Sequence, residues 1–356
     1  MSVVQLTEPP RHIAIVLLTG LGDVIHGLPV VNALRRHWPE ARITWIVEPM
    51  PAGVLRPHPA IDQVVVFEKR RGWRGVRELR ARLRPERFDL ALNLNIYFKS
   101  VFPTLFTGAP VRLGFDFRRA RDGVWLAANR RLPRQARAHT QDMFLEFPAA
   151  LGIDAEPLEW RLQITEDERA MQRRFREQMD GAPYVALVAA SGNARKDWLP
   201  ERAAQVVDAV YSEFRHRVVL IGGPGTRERG LAAIVERRAT HTPVNALGDG
   251  VRRLIWQLEA ARLLIAPDTG PVHIARALET PVVGLYGHTN PWRVGPYRAS
   301  QDLWVDTYTD PGEEPDPTRF DPKHGRMERI TVDMVLEKVA RALVPPAVAE
   351  MAQDAR

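Results

Sequence analysis

Short apolar runs recur along the chain, separated by stretches in which apolar positions return every three or four residues. In the first half the runs fall at residues 13–18, 43–47, 64–67 and 90–94. Their continuity predicts strands of a parallel sheet covered on both faces. Val24, Ile25, Leu28, Val31 and Leu34 follow the first run at helical spacing, and a second helical pattern surrounds residues 76–83. The second half repeats the scheme, with runs at 184–188, 218–221, 263–266 and 282–285. Alternation of this kind predicts α/β architecture with Rossmann-like sheets. Residues 151–165 lack periodicity and read as a linker; residues 310–326, polar and proline-rich, read as a loop. Residues 331–343 form an amphipathic terminal helix. A chain of 356 residues suits two domains, at 1–155 and 156–330, followed by that helix and a tail over 331–356.

The turns after the strands carry the candidate chemistry. Pro267, Asp268, Thr269, Gly270 and Pro271 break the chain sharply, and a helix through His273 follows. Such a turn delivers unpaired backbone N–H groups and a positive dipole end, a place to hold phosphate, although an ordinary helix cap uses the same residues. Thr19-Gly20-Leu21-Gly22 is the matching turn of the first half, with Asp23 opening the helix. It is not a dinucleotide fingerprint, because Ile25 stands where the third glycine is needed, and a nicotinamide dehydrogenase is rejected on that ground. Asp23 and Asp268 each follow a strand directly, where ligands collect in open α/β sheets. Residues 189–197, with Ser191, Gly192, Arg195 and Lys196, form a third such loop. Trp198-Leu199-Pro200 then leads a helix, with Pro200 suited to its first turn.

Composition narrows the classes. Cysteine is absent, which excludes disulfides, thiolate catalysis and cysteine-based metal sites. No histidine pair stands at metal-ligand spacing on a helix. No apolar run approaches the ~18 residues of a membrane span, and residues 13–18 are too short for a signal peptide, so a soluble cytoplasmic protein is expected. The net charge of +7 is lopsided: residues 1–160 hold 23 basic and 16 acidic side chains, residues 161–356 hold 27 of each. Residues 69–87 and 112–137 carry most of the excess, as expected of a domain that meets an anionic partner.

Four blocks together resemble glycosyltransferase family 9, the bacterial lipopolysaccharide heptosyltransferases, and most nearly the heptosyltransferase I branch. They are LLTGLGDVIHGLPVVNALRRHWPEARITWIVE, HPAIDQVVVFEKRRGW, RKDWLPERAA and APDTGPVHIARALETPVVGLYGHTNP, within residues 12 to about 300. The resemblance implies the GT-B fold: two facing Rossmann-like domains, with the C-terminal helix packing back on the N-terminal domain. It implies an inverting transferase that needs no metal, moving heptose from ADP-heptose to the Kdo–lipid A inner core. Such an enzyme is cytoplasmic and peripheral at the inner face of the inner membrane.

Asp23 would then be the general base, with a helix cap as its plainer alternative. Lys196 would be the counter-charge to the leaving diphosphate, or else an ordinary solvated lysine. Ser191, Gly192, Asp268, Thr269, Gly270 and His273 would bind the donor, and Glu228 its ribose or merely the helix dipole. The family usually carries hydroxyl residues where Ser191 and Gly192 stand. Gly22, His26, Lys69, Arg70, Arg71, Arg74, Arg118 and Arg119 would bind the anionic acceptor, with Arg121 able to add to them. Trp73 and Trp125 would pack in the core or dip toward lipid. Two other classes stay open: a GT-B nucleotide-sugar epimerase, and a basic nucleic-acid binder, for which Trp73 and Phe117 interleave the basic runs but no RNA-binding motif is present.

Overall fold

The structure is a computed structural model that describes residues 4–248 and 250–343. It divides after Gln163 into two compact units. The break falls later than residue 155 because Glu159 and Trp160 belong to the first unit: Asn32 and His58 donate to their carbonyl oxygens at 2.6 and 2.9 Å.

The first unit is a six-stranded parallel sheet: β1 (His12–Val16), β2 (Arg42–Val47), β3 (Gln63–Val66), β4 (Leu90–Asn93), β5 (Val111–Gly114) and β6 (Arg130–Arg131), ordered β3-β2-β1-β4-β5-β6. Strand β1 is central, paired with β2 through Ile15↔Trp45 and with β4 through Ile15↔Leu92. All five residues of β1 are buried, the apolar run from Ile13 to Val16 as a doubly covered strand requires and His12 with its ring 2.8 Å from Thr44 Oγ1. Ala14, Val16 and Leu18 pack with Leu79 and Leu83 of helix α2 (Trp73–Leu83). The alternate residues face α1 (Leu21–His37), which approaches so closely that a Cβ at Gly27 would lie 2.7 Å from the Trp45 ring. Helices α3 (Val101–Phe106) and α4 (Thr140–Ala150) complete this unit.

The second unit repeats the plan with β7 (Tyr184–Val188), β8 (Arg217–Ile221), β9 (Val244–Asn245), β10 (Leu263–Pro267), β11 (Val282–Tyr286) and β12 (Val305–Asp306), ordered β12-β11-β10-β7-β8-β9. Its helices are α5 (Glu166–Glu177), α6 (Pro200–Ser212), α7 (Thr226–Arg238), α8 (Val251–Ala260), α9 (Gly270–Ala277), α10 (Pro291–Val294) and α11 (Val332–Leu343). In each sheet the order reverses beside the first strand, between β1 and β4 and between β7 and β10. Those are the switch points where the fold leaves room for ligand.

The apolar face of helix α11, with Val335 and Val339 fully buried, joins the core of the second unit beside Val206, Val210 and Val305. Residues 344–356 of the expected tail lie outside the described residues.

Candidate active site

At the second unit's switch point, the loop after β7 meets the turn after β10. The residues between Ser191 and Asp197 close into a ring. Ser191 N donates to Asp197 Oδ1 at 2.6 Å, Ser191 Oγ donates to the Asn193 carbonyl at 2.7 Å, and Asn193 Oδ1 accepts from Arg195 N. Arg227, from the first turn of α7, clips the ring by donating to Asp197 and to the Ser191 carbonyl. The ring presents Lys196, whose Nζ lies 2.6 Å from Asp268 Oδ2. Lys196 remains partly open to solvent, whereas Asp268 is buried.

Thr269 is the N-cap of α9 and contributes no side-chain cap bond, and Gly270 begins the helix. The Thr269 hydroxyl and the first N–H groups of α9 thus stand beside a Lys–Asp pair. His273 lies buried within α9. Glu228 occupies the first turn of α7, its carboxylate folded over Gly225, where any Cβ would collide with it. Gly192 is exposed, and a Cβ there would meet nothing within 4 Å. Ser191 is 2% exposed, and its hydroxyl bond to the Asn193 carbonyl helps shape the loop.

Sequence reasoning passed over Asp197, Arg227 and His288. Nothing in local spacing ties Arg227 to Ser191, 36 residues away. His288 follows β11, and its Nδ1 bonds the Lys323 carbonyl at 2.9 Å. Its pKa is lowered first by burial, with His324, Lys196 and Arg195 adding positive charge nearby, so the ring stays neutral in a cationic surrounding.

At the first unit's switch point, Asn95 Oδ1 accepts from Leu18 N at 3.0 Å and Asn95 Nδ2 donates to the Val16 carbonyl at 2.8 Å, tying the ends of β1 and β4. Gly20, not Asp23, is the N-cap of α1; Gly22 and Asp23 lie in its first turn, both partly exposed. The capping alternative for Asp23 therefore gives way to a place in the first turn, where a carboxylate favours the helix dipole. The ends of the first four strands enclose a cavity of about 590 Å³, lined by Thr19, Gly20, Glu48, Lys69, Arg70 and Lys99 among others. Lys99 pairs with Glu48 at 3.0 Å.

Arg71 and Arg74 are exposed nearby in sequence, Arg71 paired with Glu78 at 2.6 Å. Arg118 is also exposed. Two acceptor candidates lie inside the fold. His26 is 3% exposed, and its Nδ1 lies 3.1 Å from Gln141 Oε1, joining α1 to α4. Arg119 is 2% exposed and bound by Asp116 at 2.5 Å and by both carboxylate oxygens of Glu146 at 2.5 and 2.7 Å. Burial alone would lower its pKa, but the bonds to Glu146 and Asp116 outweigh that and raise it. Both residues hold the domain together. Among the described residues, no group of three or more His, Cys, Asp or Glu could hold a metal ion.

Two Rossmann-like parallel sheets in one chain are the GT-B architecture of solved family 9 glycosyltransferases. The model of glycosyltransferase family 9 (heptosyltransferase) matches residues 76–317. The chain belongs to glycosyltransferase family 9 and is a heptosyltransferase-like enzyme.

Among its relatives, the lipopolysaccharide core heptosyltransferase OpsX of Haemophilus influenzae is 32% identical, over 82% of this chain and 83% of that one. Lipopolysaccharide heptosyltransferase 1 of Pseudomonas aeruginosa is 27% identical over 82% of each. A family 9 glycosyltransferase structure from Veillonella parvula shares the fold with TM-score 0.81 at 23% identity, covering 96% of this chain and 99% of that one. The structure of Escherichia coli heptosyltransferase WaaC with ADP gives TM-score 0.70 at 20% identity, covering 93% and 99%.

Proposed function

We propose that this enzyme builds the lipopolysaccharide core, transferring heptose from ADP-heptose to the Kdo–lipid A inner core with inversion and without a metal ion. The observation that carries the reading is the Lys196–Asp268 pair, 2.6 Å apart at the N-terminus of α9. A sugar diphosphate brings negative charge to a helix N-terminus that already favours it, and a lysine beside that terminus balances the charge that grows as the diphosphate departs. Asp268 and the Thr269 hydroxyl take sugar and phosphate oxygens in this reading, which is supported by relatives that are heptosyltransferases of lipopolysaccharide.

In the reaction, the Asp23 carboxylate accepts the proton of an acceptor hydroxyl while that oxygen attacks the anomeric carbon. The bond from that carbon to the diphosphate oxygen breaks, its electron pair leaves with ADP, and the sugar configuration inverts. The proton transfers late, when the attacking oxygen has become acidic enough for a carboxylate to take it. Lys69, Arg70 and Lys99 around the first unit's cavity supply charge for an acceptor rich in carboxylate and phosphate. The enzyme works at the cytoplasmic face of the inner membrane as a peripheral protein.

The test offers purified enzyme ADP-heptose and other nucleotide sugars, with Kdo–lipid A as acceptor. The expected result is one heptose added to the acceptor per ADP released, unaffected by EDTA. Turnover of the donor without acceptor would identify an epimerase or hydrolase instead.

A further inference from the structure

Of the eleven large apolar side chains exposed among the described residues, eight belong to the first unit. Phe98, Phe102 and Phe106 run in succession along α3 and the turn before it, with ring centroids 6.1 Å apart at each step. Leu126 extends the ridge: it and Phe98 both lie 3.7 Å from the Cβ position of Gly123. At the other end the Arg80 guanidinium sits 5.9 Å from the Phe106 ring centroid, and Arg80, Arg84 and Arg87 line a hollow with Leu105 and Phe106.

Helix α2 supplies the flank. Trp73, Arg77, Arg80 and Arg84 recur at i, i+4, i+7 and i+11, which is one stripe of a helix, while Leu79 and Leu83 are buried in the core. Trp73 is 75% exposed at the head of that stripe. It stands there because Gly72 takes φ 54° and ψ −133°, a conformation that only glycine adopts readily.

We infer that this ridge of aromatic and arginine side chains is the surface by which the enzyme lies on an anionic phospholipid bilayer. Exposed rings are costly in water and are at home at the headgroup level, where arginines beside them meet lipid phosphates. The charge fits such a partner: nine basic and two acidic residues stand between Lys69 and Arg87. Both acids are already paired, Glu78 with Arg71 and Glu86 with Arg42. A nucleic acid would use the arginines but not the phenylalanines, whose Phe98–Phe102 pair meets edge-on rather than offering a face for base stacking. The inference rests on the proposed function for its purpose: Lys99, next to Phe98, lines the cavity assigned to the acceptor, so the sugar of a lipid-anchored substrate would enter beside the membrane surface.

The experiment is co-sedimentation of the full chain with vesicles of phosphatidylcholine alone or containing about 30% phosphatidylglycerol. Binding to the anionic vesicles is expected, with a blue shift of tryptophan emission that Trp73→Phe removes. The double variants F98S/F102S and R77E/R80E should each lower the partition by about tenfold or more, leaving thermal stability and turnover on a delipidated soluble acceptor unchanged. Unimpaired partition of either double variant, or equal binding to neutral vesicles, would overturn the inference. So would binding to duplex DNA but not to vesicles. Turnover on the soluble acceptor without any vesicle binding overturns it while leaving the proposed function standing. Vesicle binding that the variants lose, in an enzyme inert toward ADP-heptose, upholds it while that function falls.

Discussion

Lys196 Nζ lies 2.6 Å from Asp268 Oδ2, although 72 residues separate them. The lysine is therefore already neutralised before any diphosphate arrives, and a donor must share or displace Asp268 to use it. Lys196→Ala should lower kcat by on the order of 10² or more. Asp268→Asn should tighten binding of free ADP by roughly tenfold, the size of one charge-assisted hydrogen bond, while slowing transfer. Calorimetric titration with ADP beside steady-state kinetics separates the two. An effect of Lys196→Ala confined to acceptor KM would contradict its assigned role.

Asp23 occupies the first turn of α1, where its dipole contact is worth about 0.3–1 kcal/mol. Asp23→Ala should lower turnover by ~10²–10⁴ while ADP-heptose still binds and stability changes little. Unchanged turnover would reduce Asp23 to a helix-dipole partner.

Lys69 and Arg70 line the first unit's cavity. Neutralising both, as K69Q/R70Q, should raise acceptor KM and leave the donor Kd unchanged. Lost affinity for the nucleotide would show that the roles of the two domains are reversed.

Arg119 is a stability prediction. Removing one partner of a buried ion pair strands the other's charge, so Arg119→Ala should cost about 3–5 kcal/mol, read by denaturant unfolding. Glu146→Gln should cost less, since Asp116 still holds the guanidinium. A raised acceptor KM with no loss of stability would instead support Arg119 as an acceptor contact.

The final prediction concerns pH. His58 Nε2 donates to the Trp160 carbonyl at 2.9 Å and its Nδ1 accepts from Ala60 N at 3.2 Å, so the ring is held as the neutral tautomer. Burial foremost lowers its pKa from 6.5, and nearby Arg161 adds to this. A histidine with a lowered folded pKa binds protons more readily when unfolded, so stability falls as the pH drops below about 6.5 and levels off below the folded value. His12 and His288 are shifted in the same direction. Unfolding free energy measured from pH 7.5 to 5 should fall, and His58→Gln should flatten part of that slope. An identical slope in the variant would count against His58 as a source.

The central strands could be read from the chain because a strand buried on both faces must be largely apolar, as β7, β10 and β11 are throughout and β1 is after His12. Strands β6, β9 and β12 have two residues each, too few for any periodicity to show. Helix α4 carries Pro148 near its end, and α5 is mostly charged, so neither displays a clear apolar stripe. Helix α11 could be read as amphipathic, but an apolar stripe does not say which core receives it.

What the sequence determined by itself was which residues stand in the loops and helix starts that follow strands: Asp23, Lys196, Asp268, Thr269 and Gly270 all follow from the strand–turn–helix pattern. Which of them meet was decided only by tertiary structure. The parallel register of β7 beside β10, with Leu263 opposite Val185, sets two strand ends side by side and thereby brings Lys196 to Asp268. The fate of polar residues was decided the same way. A charge in the sequence does not reveal its own burial, so Arg119 and Arg118 read alike until Glu146, 27 positions on, closes over one and leaves the other in water.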